Sequence, residues 1–120
     1  MNTRAAGAGF EQRAQVHREQ AGLRLLARNF VTRFGELDLV MRHADTIVVV
    51  EVRYRRRDAQ GGGAASVGAA KRGRLARAAQ LYLQAHPALS NLPCRFDVVA
   101  FDGEARAPRC TWLRAAFEVS

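Results

Sequence analysis

Four residues in the middle of this chain could do chemistry together: Glu36, Asp38, Glu51 and Arg53. Side chains alternate along a strand, so Glu36, Asp38 and Val40 share one face of a first strand, and Val49, Glu51 and Arg53 one face of a second. If a two-residue turn at Ala44-Asp45 pairs His43 with Thr46, Asp38 falls opposite Glu51 and Glu36 opposite Arg53. Directly opposed side chains point the same way, with Cβ atoms roughly 4.5–5.5 Å apart. This register predicts three carboxylates and one guanidinium on one face, and a slip of one residue scatters them. Opposed carboxylates repel, and a strand built from Ile47, Val48, Val49 and Val50 has no folding reason to accept Glu51. A divalent cation answers the objection, because Mg²⁺ takes oxygen ligands from one or two carboxylates plus water and substrate phosphate. A buried ion network neutralised by Arg53 and nearby arginines answers it equally.

Basic residues lead out of this strand. Arg53, Arg55, Arg56 and Arg57 form the densest cationic run and enter a glycine-bearing loop through Gly61-Gly62-Gly63. Such a run suits contact with phosphates, although charge runs are usually just solvated. Tyr54 could stack on a base or pack. Lys71 is the one lysine and begins the apolar face of a helix, with Arg72 and Arg77 on its flanks. Its head either sits in water above a packed stem or points toward the sheet or a bound phosphate, helped by the helix N-terminus. Asp97, two residues from Arg95, reads as a structural ion pair rather than a remote ligand. His17 reads as a packed helix residue, and His17, His43 and His86 have no metal spacing. The triple glycine is no P-loop, since no Gly-Lys-Ser/Thr follows it. No cysteine has a base nearby, so nucleophilic hydrolase chemistry has no support.

The elements that must position these groups are legible. Residues 10–21 read as a helix in which Phe10, Ala14, His17 and Ala21 lie within about 60° of one another at ~100° per residue. Gly22 suits its end. Strands follow over Leu23–Val31, Glu36–Arg42 and Thr46–Arg53, the last two joined by a hairpin at 43–46. Ala69–Ala85, rich in Ala, Leu and Arg, is the clearest helix. Pro87, Asn91 and Pro93 break the chain before a strand over Arg95–Phe101 and an edge strand over Thr111–Phe117. That order predicts one α/β domain, a mixed sheet with helices on its faces.

Composition narrows the classes. At 120 residues and 48% apolar, the chain holds one core and is not disordered. A net charge of +8 favours a polyanion, nucleic acid before an acidic membrane surface. The cations are 18 Arg and one Lys, a bias that codon usage alone can produce, so the charge is discounted. No apolar run approaches the ~18–20 residues of a membrane span, and the start lacks a secretory h-region. Cys94 and Cys110 make no disulfide framework, which points to a reduced, cytoplasmic setting.

The sequence resembles the YraN family of small, largely uncharacterised bacterial proteins. The likeness is carried by Gly35-Glu36-Leu37-Asp38-Leu39-Val40, Val49-Val50-Glu51-Val52-Arg53, Lys71 and Arg95-Phe96-Asp97-Val98-Val99. Gly9-Phe10-Glu11, Ala14, Gly22 and Ala27-Arg28-Asn29 fit the family's opening segment, and the resemblance spans roughly residues 9–102. The family is similar in pattern to the restriction-endonuclease-like fold, whose PD-(D/E)xK site holds Mg²⁺ on a β-hairpin, as in Holliday-junction resolvases. That resemblance implies Asp38 and Glu51 as metal ligands, the Val52 carbonyl as a third, Glu11 as an accessory carboxylate, and Mg²⁺, with Mn²⁺ as its substitute. It implies an endonuclease acting on DNA, branched DNA in repair or recombination included, and a homodimer. Arg53 would stabilise the transition state, with Arg55, Arg56, Arg57, Lys71 and Arg72 along the backbone. The sequence departs from the motif at its lysine, here Arg53, which cannot act as a base, and at His17-Arg18. Two further readings therefore stand beside the enzyme: an inactive DNA-binding or partner-recruiting module of the same fold, and a structural protein with a neutralised ion network.

Overall fold

The structure, a computed structural model, describes residues 3–55 and 67–117. Helix α1 (Thr3–Gln20) leads into strands β1 (Arg24–Thr32), β2 (Gly35–His43) and β3 (Thr46–Arg55). Helix α2 (Ala69–Ala85), a 3₁₀ turn at Pro87–Leu89, and strands β4 (Cys94–Asp102) and β5 (Arg109–Phe117) follow. The five strands lie in sequence order, antiparallel except for the parallel pair β3–β4. A parallel pair needs a long crossover, and α2 lies within it.

The expected mixed sheet between helices is therefore what the chain forms. Leu75, Ala76, Ala78, Ala79 and Tyr82 of α2 pack on Val40, Ile47 and Val49 at one face. Phe10 and Ala14 of α1 pack on Leu39, Met41, Val48 and Val50 at the other. The β-branched run of β3 is thus buried on both sides, as a central strand requires.

Helix α1 begins well before Phe10, and its buried stripe turns differently from the expectation. Phe10 and Ala14 are buried, but the third member is Arg18, 2% exposed, rather than His17 or Ala21. Arg18 lies over the Trp112 ring at 3.5 Å, so a flat guanidinium substitutes for an apolar residue. Two hydrogen bonds close the helix, Gly22 N–H to the Glu19 carbonyl and Leu23 N–H to the Arg18 carbonyl, both 3.0–3.1 Å. This is a Schellman closure, and Gly22 takes its required left-handed φ of +94°.

The β2–β3 register is the expected one: His43 pairs with Thr46 and the ladder runs to Leu39–Val50. There it ends, and strict alternation in β2 ends with it. Leu37 packs in the α2-side core while Leu39, two residues on, packs in the α1-side core. The reversal falls at Asp38. Across β1, Arg28 pairs with Leu39 and Phe30 with Leu37, which leaves Asn29 facing Asp38 with a left-handed φ of +52°. Asparagine tolerates that conformation far better than β-branched or bulky residues do.

Candidate metal centre

The expected apposition of Asp38 with Glu51 is kept, the two carboxyl groups lying against each other, while Glu36 bonds to Asn29 rather than meeting Arg53. One oxygen each from Glu11, Glu36 and Asp38 lies within 4.8 Å of the others, so Asp38 stands between Glu51 and the two glutamates nearer α1. Glu51, against Asp38, also pairs with the ammonium of Lys71 on α2. The acids meet where β2 and β3 part.

Each acid is held by something specific. Phe10, stacked on Tyr54 at 4.3 Å and against Phe101 at 5.0 Å, pins α1 so that Glu11 overhangs the sheet. The Asn29 side-chain amide donates to Glu11 Oε1 at 2.8 Å and to Glu36 Oε1 at 2.6 Å, tying the helix to the β1–β2 hairpin. The Val52 backbone N–H donates to Asp38 Oδ2 at 2.9 Å, so the Asp38 carboxylate takes the bond a continuing ladder would have made. Asn29 lies in the segment that carries the family likeness, with no chemistry of its own to single it out. Its signal was positional: it falls opposite Asp38 once the β1–β2 register is known.

The electrostatics are unfavourable without a cation. Burial first, then the Glu51 and Glu11 carboxylates, push Asp38 up to about 8, against the opposing pull of the Val52 N–H. Glu51 is buried at 6% exposure and Lys71 is its only ion-pair partner among the described residues. Lys71 therefore takes the second of its two expected placements, pointing from the first turn of α2 onto the sheet. On the same side of β3 as Glu51, Arg53 is half-buried, and its Nη1 has no hydrogen-bond partner among the described residues. An unpaired buried donor beside a carboxylate cluster is an arrangement that an anionic ligand completes.

Other sequence candidates fall elsewhere. Tyr54 packs: besides stacking on Phe10 it donates its hydroxyl to the Gly103 carbonyl at 2.9 Å. Arg72 is exposed on α2 and Arg55 is half-buried at the end of β3. Arg56, Arg57 and the Gly61-Gly62-Gly63 loop lie outside the described residues. Asp97 is structural, as expected. It is fully buried and accepts from Arg95 Nε at 3.1 Å, Trp112 Nε1 at 2.8 Å and the Ala115 N–H at 2.8 Å. No described helix is long and apolar enough to cross a membrane. Cys94 and Cys110 are free thiols.

The architecture defines a small α/β protein with an acidic cluster at the divergence of two central strands. The chain belongs to the uncharacterised protein family UPF0102, whose model matches residues 10–101. It is 60% identical over 111 residues to a UPF0102 protein of Xanthomonas oryzae pv. oryzae, covering 92% of this chain and 89% of that one. A UPF0102 protein of Stutzerimonas stutzeri is 50% identical over 116 residues, 97% of each chain. One from Xylella fastidiosa is 50% identical over 119 residues, covering 99% of this chain and 97% of the relative.

Proposed function

We propose that this protein is a divalent-cation-dependent endonuclease acting on DNA, with the restriction-endonuclease-like site that its sequence resembles. The observation that carries the reading is the convergence of Glu11, Glu36 and Asp38 within 4.8 Å, with Asp38 pushed up to about 8 by burial and by neighbouring carboxylates. Oxygen-only donors this close fit Mg²⁺ or Mn²⁺ and not zinc, which favours nitrogen and sulfur. Glu11, Glu36 and Asp38 would hold the ion, with Glu51 and the Val52 carbonyl beside them. Bound there, such an ion supplies Lewis acidity toward a phosphodiester and a more acidic water. Asn29 orients Glu11 and Glu36, the Val52 N–H orients Asp38, and Lys71 keeps Glu51 compensated inside the fold. Arg53 offers its unpaired Nη1 to charge building on the phosphate. Arg55, Arg56, Arg57 and Arg72 supply backbone contacts, and a cytoplasmic homodimer is the expected form.

A second reading, an inactive DNA-binding module, is favoured by one observation: the motif lysine is Arg53, and the only lysine is already engaged with Glu51. One experiment separates the two. Labelled four-way junction and duplex DNA are titrated with wild type and Asp38→Ala/Glu51→Ala in Mg²⁺, Mn²⁺ or EDTA, scoring binding and cleavage on the same gel. Metal-dependent cleavage lost in the double variant supports the nuclease. Salt-sensitive binding without cleavage in either metal supports the module. Neither binding nor cleavage leaves a structural ion network.

A further inference from the structure

The hairpin turn between β1 and β2 stands directly beside the acidic cluster and is unlike the rest of the surface. Val31 is 72% exposed, the most exposed large apolar side chain among the described residues. It pairs with Glu36, so it points to the same side of the sheet as that acid. Phe34 sits at the tip, with the Arg33 guanidinium 4.9 Å and the Arg77 guanidinium 5.6 Å from its ring centre. The tip is braced rather than loose: Thr32 Oγ1 accepts from the Phe34 N–H at 3.1 Å and donates to the Gly35 carbonyl at 2.8 Å. Behind it, Arg74 and Arg77 are exposed one turn apart on α2.

We infer that this turn is a wedge for unpaired nucleobases, so that the substrate is DNA with splayed or single-stranded ends rather than continuous duplex. Solvent-exposed apolar surface next to three carboxylates is poorly matched to water and to the cluster alone. A nucleobase supplies the missing partner, because its face stacks on an aromatic ring or apolar side chain while its phosphate meets arginines. Arg33 and Arg77 already lie against Phe34, so ring and charge are offered together. Val31 lies on the side of Glu36 and Phe34 toward Arg77 of α2, so a base on each would be parted by the turn, the one on Val31 carrying its backbone past Glu36 toward Asp38. The inference rests on the DNA-binding part of the reading above and adds the shape of the substrate.

The test uses binding in EDTA, where cleavage plays no part. Fluorescence anisotropy is measured with blunt duplex, forked duplex and single strand, the fork carrying 2-aminopurine at its first unpaired base. Wild type should bind the fork more tightly than the duplex and change the 2-aminopurine emission. Val31→Ser/Phe34→Ala should weaken fork binding about tenfold, leave duplex binding within twofold and lose the emission change. Phe34→Trp should restore it, which a merely misfolded tip would not allow. Equal wild-type affinity for fork and duplex, or equal loss on both in the variant, overturns the wedge. A variant whose mass in solution halves while its fork affinity holds overturns it too, assigning the turn to contact between copies of the chain. Fork binding with no metal-dependent cleavage would sink the nuclease and leave the wedge standing.

Discussion

The backbone N–H of Val52 donates to the carboxylate of Asp38, 2.9 Å away, at the point where β2 and β3 cease to pair. A side chain thus replaces a ladder partner, and the gap it opens is where Glu11 and Glu36 enter. This bond also opposes the burial that pushes Asp38 up to about 8. The folded value lies above the ordinary carboxylate value. Stability from this group is therefore full below pH about 4 and lost as pH rises through about 8. In EDTA, Asp38→Asn should match wild type at pH 4 and exceed it by roughly 1–3 kcal/mol at pH 8.5, several degrees in Tm. Thermal melts across that range check it, and a pH-independent difference would contradict it.

The Lys71–Glu51 pair joins α2 to the sheet, with Glu51 buried and Lys71 partly open to water. Removing the cation alone leaves a buried carboxylate without its partner. Lys71→Met should cost about 1–3 kcal/mol in urea denaturation, discounted from a fully buried pair for the exposure of Lys71. Adding Glu51→Gln should recover part of that loss. A double variant no more stable than Lys71→Met would mean the pair carries little.

Asn29 holds two acids with one amide while adopting φ of +52°. Asn29→Gly keeps the backbone conformation and deletes only the amide. It should weaken divalent-cation affinity about tenfold, as loss of a ligand-orienting group typically does. It should change stability by less than about 1 kcal/mol. Calorimetric titration with Mn²⁺ reads the first and a thermal melt the second. Unchanged affinity would remove Asn29 from the site.

At Gly22 no heavy atom lies within 4 Å of an added Cβ, so strain is the only penalty there. Gly22→Ala should lower stability by about 1 kcal/mol through its φ of +94° alone. Cleavage should be unaffected, since the Schellman closure lies more than two helical turns from Glu11.

Much of this was legible in the sequence. Every strand and both helices were, because Ile47–Val50 declares a strand buried on two faces and the Ala-rich 69–85 segment declares a helix. The β2–β3 register followed from the shortest turn consistent with His43 and Thr46. What could not be read was the reversal at Asp38. It depends on a left-handed Asn29 on the neighbouring strand, and period-two alternation contains no term for that. The meeting of Asp38 with Glu51 follows from the register, whereas the tie between Glu11 and Glu36 through Asn29 has no signal in it. The burial of Arg18 was missed for a similar reason. The Trp112 ring, brought there by β5, and the His17 ring nitrogen that accepts from Arg18 Nε make a guanidinium acceptable at that position.

Central to the proposed function is a divalent cation held by the acids at the strand divergence and required for cleavage. The most direct measurement is Mn²⁺ binding by electron paramagnetic resonance at pH 7.5, paired with cleavage of forked DNA by the same samples. Wild type should bind Mn²⁺ and cleave, and Asp38→Asn should lose both while remaining folded. Mn²⁺ binding unchanged in Asp38→Asn, or cleavage that persists in EDTA, would contradict it.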